Sequence, residues 1–558
     1  MKVVLAALNA KYVHSNLAVY DIEAYTRYNW INEYKTDDTL HLVVKEYTIN
    51  HNLDLIMQSI YKENADLIAF SCYIWNISEI LTVCRELKKV SPNISIWLGG
   101  PEVSYDSEEL LNAHDYIDGV IQGEGEATFY ELVKLYSNPL KQMIYKGFGY
   151  ILGIVYRAFD GSIHTNPPRP LISMDDIPFI YKDLSMFENK ILYYESSRGC
   201  PFSCSYCLSS IDKRVRFRNL TLVKDELTFF MDNKVPQVKF IDRTFNCDRK
   251  RATEIWRYLL EHDNGVTNFH FEIAADLIED EDLDIFRKMR QGLIQLEIGL
   301  QSTNDTTIHE IRRVMDIDKL KHNMLEIRKM GNIHQHLDLI AGLPYEDYES
   351  FVGSFNDAYA MRPNQLQLGF LKVLKGSYME EQVKDYGLVY RDEQPYEVLS
   401  TKWISYGEIL ALKQVEDMVE VYYNSDQFEH VLPYVETFFD TPFEMFESLG
   451  KYYEKHELTG IGFKRESRYN VLRDFFLEYI SDSWCREDLE DEKQRKKLMI
   501  NSENDERQDM CIYACGNEGE YDNIAATFDS LLTFDYYLRE NAKSRPIWRK
   551  DNMIEKGM

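Results

Sequence analysis

The chain has 558 residues, 45% of them hydrophobic and 28% charged, with a formal net charge of −29. That length exceeds a single core at ~100–200 residues per domain and predicts roughly three domains. The acidic balance argues against general affinity for phosphate backbones, and no apolar run approaches the ~18–20 residues that span a bilayer.

The amino terminus, "MKVVLAALNAKYVHSN", reads as a buried strand without the cleavage site of a signal peptide, so a cytoplasmic protein is expected. Strand-like and helix-like stretches then alternate: "LHLVVKEYTI", "ADLIAFSCY", "ISIWLGGPEVS" and "YIDGVIQGEGEATFYELVKLY". Strands separated by crossover helices predict a parallel, doubly wound, Rossmann-like sheet over residues 1–139. Ligands of such sheets sit at the strand carboxyl ends, where the turns at Gly99-Gly100 and Gly123 to Glu126 fall. Residues 140–188 break the pattern and read as a linker, with a hairpin turning at Asp160-Gly161 and stiffening prolines at 167, 168 and 170.

A second alternating series covers residues 189–390, with strands "ILYYE", "QVKFI", "FHFEIAA", "LIQLEIGLQ", "HLDLIAG" and "QLQLGFL". Six such units predict a partial (β/α)6 barrel with chemistry in the loops after the strands. Residues 391–558 read as a mostly α domain without a chemical motif. The fold class expected for the whole is α/β.

Three of the 9 cysteines crowd into "RGCPFSCSYC". Cys200, Cys204 and Cys207 follow directly after a strand. Zinc sites close with four protein ligands or keep a water among N/O donors. Three thiolates with no nearby histidine suit an iron–sulfur cluster better, because sulfide completes each iron's shell. They would hold three corners of a cubane and leave one iron open. Zinc, or three thiols close by chance, are the competing readings. Cys511 and Cys515 could share a helix face as a functional pair or part of a second cluster, with core packing as the plain alternative, and Cys72, Cys84, Cys247 and Cys485 read as buried small residues. Arg198, Arg216 and Arg218 could hold anions or form ion pairs.

"RGCPFSCSYC", with Tyr206 before the third cysteine, resembles the signature of radical SAM enzymes. The resemblance extends from Ile191 to about Met379. It implies a [4Fe–4S] cluster on the three cysteines and S-adenosyl-L-methionine (SAM) on its open iron. "FIDRTFN" resembles the loop that meets the methionyl amine, which implies a contact for Asp242, although Arg243 stands where the family usually has a second acidic residue. Glu272 in "FEIAADLI", Gln301 and Ser302 in "EIGLQS", Gly342 in "DLIAGLPYED", and Tyr206 are the implied SAM contacts. "LKVLKGSYM" carries Lys375-Gly376-Ser377 where the family usually reads Pro-Gly-Thr.

A doubly wound domain before such a barrel resembles the cobalamin-binding class, on "FSCYIWN", "LGGPEVS" and "IQGEGE". The cobalamin-binding residues this implies are Ser71, Gly99, Gly100, Gly123, Glu124, Gly125 and Glu126. The D-x-H-x-x-G motif that supplies a lower cobalt ligand in many cobalamin proteins is absent. His14 lies in the corresponding loop and is the candidate ligand, with ordinary loop hydrogen bonding as the alternative.

The resemblance implies that one electron cleaves SAM at the cluster, that a 5′-deoxyadenosyl radical abstracts substrate hydrogen, and that methylcobalamin supplies a methyl group to carbon. The competing readings are a cyclase or rearrangement enzyme with the same cofactors, and a non-catalytic cobalamin or SAM sensor. An external one-electron reductant such as flavodoxin or ferredoxin is the expected partner, beside an unidentified substrate. The charge argues against a nucleic-acid substrate.

Overall fold

A computed structural model describes residues 1–36, 39–138, 147–485 and 518–541. The first sheet begins with β1 (Lys2–Asn9), β2 (His41–Thr48), β3 (Leu67–Ser71), β4 (Ser95–Gly99) and β5 (Gly119–Ile121), which pair in parallel in the order β2-β1-β3-β4-β5. Helices α1 (Leu17–Tyr34) and α5 (Glu126–Tyr136) pack together, as do α2 (Leu53–Tyr61) and α3 (Ile77–Val90). Asn16 starts α1 by accepting from the backbone N–H of Val19, and Asn52 does the same for α2 at Asp54. Gly119 is a steric requirement, because a Cβ there would lie 2.5 Å from the buried Trp97 ring.

The segment expected to link the domains contributes to this sheet. β6 (Ile154–Arg157) and β7 (Ile163–Thr165) form the hairpin expected at Asp160-Gly161 and extend the sheet beyond β5 in antiparallel fashion. The first structural unit therefore reaches past residue 139, and pairing with β5 removes an open edge.

The second sheet has six parallel strands in the order β15-β14-β13-β12-β11-β8. These are β8 (Leu192–Tyr194), β11 (Gln237–Phe240), β12 (Asn268–Ile273), β13 (Ile294–Gln301), β14 (His334–Ala341) and β15 (Gln365–Phe370). The six parallel strands of the predicted partial barrel are present between Leu192 and Phe370. Between β8 and β11 lies a two-stranded ladder of β9 (Ser197–Arg198) and β10 (Arg216–Phe217). It forms the stem of the loop that carries the cysteines. Asn219, Asp248, Asp316 and Asp347 cap the following barrel helices with side-chain oxygens.

The carboxyl-terminal region is mostly helical where described: after a short antiparallel pair, Val389–Tyr390 with Val398–Ser400, come helices at Tyr406–Met418, Pro442–Lys455, Arg465–Cys485 and Glu518–Asn541. The first continues as a π-helical turn, Val419–Asn424. Asn424 closes part of the barrel's edge strand: its side chain accepts from Leu366 N at 2.9 Å and donates to Leu366 O at 2.8 Å. No helix among the described residues is long and apolar enough to cross a membrane.

Candidate active site

The cysteine loop leaves β9 at Gly199, whose φ of +96° and close approach to Arg214 O exclude a side chain. Cys200 and Cys204 are buried and Cys207 is half-buried; all three are free thiols. Burial pushes the Cys200 thiol up, and the thiols of Cys207 and Cys204 lie close enough to add to the effect. Among the described residues, no three His, Cys, Asp or Glu side chains converge on one metal-ion point. A cubane makes a different demand, since each thiolate meets a different iron. Three clustered thiols, with no carboxylate or imidazole joining them at one metal-ion point among the described residues, fit that donor set.

Arg313, which the sequence reading did not single out, approaches this cluster of thiols. Its Nη1 is 3.8 Å from Cys204 Sγ and 3.4 Å from Tyr206 Oη, and its Nη2 donates to Gly299 O. A bulge between Gly299 and Gln301 re-aims this end of β13, and Gln301 takes φ +74°. Gln301 Oε1 is buried without a hydrogen-bond partner, an orphan acceptor that suits a polar ligand.

The structure divides the other proposed SAM contacts. Arg243 is an exposed residue, and Glu272, Cys207, Tyr73 and Glu195 act on its charge. Burial and the neighbouring Glu297 push the Glu272 carboxyl up to about 7, against the pull of Arg243 and Lys239. Asp242 turns away to the loop stem, accepting from Ser196 N at 2.8 Å, Ser196 Oγ at 2.7 Å and Ser197 Oγ at 2.6 Å. Ser302 Oγ donates to Glu346 at 2.6 Å. Gly342, at φ +86°, packs against the carboxyl-terminal region, where a Cβ would lie 2.6 Å from Val398 Cγ1.

One face of this sheet is polar where many barrels are filled with branched apolar residues. Lys239 on β11 reaches across β12 to Glu297 on β13 at 3.0 Å, and His270 Nε2 also lies 3.0 Å from Glu297. His336 Nε2 is 3.1 Å from Asp338 on β14. Burial alone would raise the Glu297 carboxyl, but Lys239, His270 and His336 outweigh it and hold it well below its ordinary range. The signal was in the sequence: polar residues alternate with apolar ones along "QVKF", "FHFEI" and "LIQLEIG".

On the first domain, a Cβ at Gly100 (φ +110°) would lie 2.4 Å from Cys72 O, and one at Gly125 would lie 2.8 Å from Ile22 Cδ1. Gly99 makes only ordinary contacts, whereas Gly123, at φ +71°, has no heavy atom within 4 Å of a Cβ and leaves open space beside the β5 turn. Ser71 Oγ accepts from Asn16 at 3.4 Å. Tyr73 and Trp75 stack with centroids 4.4 Å apart, and Trp75 Nε1 is a buried donor without a partner. Open space and an orphan donor at the strand ends fit a large amide-bearing ligand such as cobalamin.

His14 lies at the seam between the domains, where Nδ1 is 2.6 Å from Tyr193 Oη on β8. Glu124 and Glu126 also lie there. Arg198 Nη2 is 2.9 Å from Glu126 and 2.7 Å from Glu195, and its Nη1 is 3.3 Å from Glu124. Arg216 binds Glu124 as well, while Arg218 is buried against Glu226 at 2.6 Å. All three arginines thus form ion pairs, and the pairs are largely enclosed. Cys72 and Cys84 are buried and Cys247 is half-buried, while Cys511 and Cys515 lie outside the described residues.

Family models match in the same order as the domains. The B12 binding domain matches residues 6–133 and the Radical SAM superfamily residues 194–358. The chain thus joins a B12 binding domain to a domain of the Radical SAM superfamily. The fold is of the α/β class, and the two matched models describe a B12 binding domain and a radical SAM domain. A third family model, described as a protein of unknown function (DUF4080), matches residues 384–557.

The chain is 33% identical over 210 residues to an uncharacterized methyltransferase of Pyrococcus horikoshii, covering 36% of this chain and 44% of that protein. It is 26% identical over 344 residues to the cobalamin-dependent radical SAM methyltransferase TokK of Streptomyces tokunonensis, covering 58% of this chain and 49% of TokK. The chain thus spans about half the length of these curated relatives. The structure of the cobalamin-dependent SAM radical enzyme OxsB, with aqua-cobalamin and SAM bound, has the same fold, with TM-score 0.61 at 13% identity over 99% of this chain and 83% of OxsB.

Proposed function

We propose that the protein is a cobalamin-dependent radical SAM methyltransferase that methylates carbon. The observation that carries this reading is the joining of the two cofactor domains, in which the stem of the cysteine loop is ion-paired to the turn after β5. Methyltransferase relatives at 33% and 26% identity support the choice of reaction. When bound, the cluster with SAM supplies one-electron hydrogen abstraction, and cobalamin supplies a methyl group.

The chain's own residues hold and orient these groups. Cys200, Cys204 and Cys207 ligate the cluster, and Asp242 fixes the serines that precede it. Glu272 and Gln301 offer acceptors to SAM. Arg243 offers a guanidinium to an oxyanion at the meeting point of Tyr73, Cys207 and Glu272. An external one-electron donor completes the system.

The test is anaerobic. The cluster is reconstituted, cobalamin and reductant are added, and candidate substrates are offered with SAM labelled in its methyl group. Product that gains a labelled methyl carbon, with 5′-deoxyadenosine that vanishes in Cys204→Ala, is the expected result. 5′-Deoxyadenosine with an unmethylated, rearranged product would replace methyl transfer by cyclisation or rearrangement.

A further inference from the structure

Arg198 stands two residues before the first cluster cysteine, yet two of its three carboxylate partners belong to the other domain. Its side chain retains 21% exposure, and those of Glu124 and Glu126 retain 17% and 5%. The site is therefore mostly shielded from screening by water, unlike a surface pair. Its cross-strand neighbour on β10, Arg216, holds the same Glu124 and donates to Ile172 O at 2.6 Å. Ile172 N donates back to Glu124 at 3.4 Å. Both strands of the loop stem are thus clamped to one turn of the cobalamin domain.

We propose that Arg198, with Arg216, is a positioning residue that fixes the spacing of the two cofactors and couples their binding. Cluster assembly orders the loop from Gly199 to Val215 and with it the β9–β10 stem. The ordered stem presents two guanidinium groups to Glu124 and Glu126, which orders the turn beside the cobalamin site. Coupling of this kind is reciprocal: whatever factor the cluster adds to cobalamin affinity, cobalamin adds to cluster retention. A guanidinium serves here because its planar fork meets several carboxylates at once, which a lysine ammonium does in a less fixed geometry. The inference rests on the two cofactor domains and not on methyl transfer.

The experiment measures cobalamin affinity of the full chain with and without the reconstituted cluster. It also measures the magnetic interaction between the reduced cluster and cob(II)alamin by electron paramagnetic resonance. The wild type should bind cobalamin about fivefold or more tightly with the cluster in place, the lower end of ordinary coupling. Arg198→Gln and Glu124→Gln should each lower that ratio towards one and weaken the magnetic interaction. The double variant should lose less than the sum of the two single ones, because they share the Arg198–Glu124 pair. The ratio separates coupling from any direct contact between Glu124 and cobalamin, which would weaken both measurements equally. Arg198→Lys should retain part of the coupling. If Arg198→Gln fails to fold, Glu124→Gln decides from the other side of the seam. Equal affinity with and without cluster in the wild type overturns the proposal, as does an unchanged ratio in both variants. Absence of a methylated product, with the coupling intact, would overturn only the methyltransferase reading.

Discussion

The carboxylate of Asp242 accepts a hydrogen bond from Ser197 Oγ at 2.6 Å. Together with its two bonds to Ser196, this ties the end of β11 to the chain that enters the cysteine loop. Asp242 is 1% exposed, and burial pushes its carboxyl up to about 6 despite the three donors. Asp242→Asn would turn an amide N–H toward one of those donors. The expected outcome is a loss of ~1–3 kcal/mol in unfolding free energy, the usual cost of an unsatisfied buried polar group. Urea denaturation measures that loss, and iron retention under a chelator should fall with it.

Arg313 places positive charge beside Cys204 Sγ, 3.8 Å away. A cation there favours the more negative, reduced cluster. Arg313→Met should therefore lower the cluster's reduction potential by roughly 50–100 mV, the equivalent of ~1–2 kcal/mol in a one-electron couple. A redox titration followed by electron paramagnetic resonance reads the shift, and an unchanged potential would remove Arg313 from this role.

Glu346 is 1% exposed, and burial pushes its carboxyl from 4.5 to about 7 even though Ser302 and Ser354 donate to it. Between those values the folded chain holds a proton that the unfolded chain has released. Stability from this group is therefore present at low pH, falls as pH rises through that window, and levels off above it. The full effect is up to about 3 kcal/mol. Glu346→Gln should flatten this part of the profile and raise the melting temperature more at pH ~8 than at pH ~5. Thermal unfolding across that range is the measurement.

Gly100 combines φ +110° with a Cβ position 2.4 Å from Cys72 O. Gly100→Ala adds backbone strain to overpacking, and each costs ~1–3 kcal/mol. The variant should lose stability by their sum, whereas Gly123→Ala, with open space around it, should show the strain alone. Denaturant unfolding of the two variants in parallel tests the contrast.

The two alternating series, the hairpin at Asp160-Gly161 and the cysteine spacing were legible because they are local. Hydrophobic period, turn residues and ligand count act over a few neighbours in the chain. The placement of Asp242 was not legible, since nothing near it in sequence announces Ser196 and Ser197 as its donors. Cys204 could be named from its spacing, but Arg313, 109 positions away, could not be joined to it. The polar face was written in period-two alternation, yet only the pairing of β11 and β13 on either side of β12 sets Lys239 opposite Glu297.

By itself, the sequence determined which residues could bind a cluster and which turns could border a large ligand, because those properties follow from side-chain chemistry and local backbone geometry. The tertiary structure alone decided that Glu124 and Glu126 face Arg198 and Arg216 across a domain seam. Ion pairs of this kind depend on which charges two folded surfaces bring within a few ångströms and shield from water, and sequence distance carries no record of that.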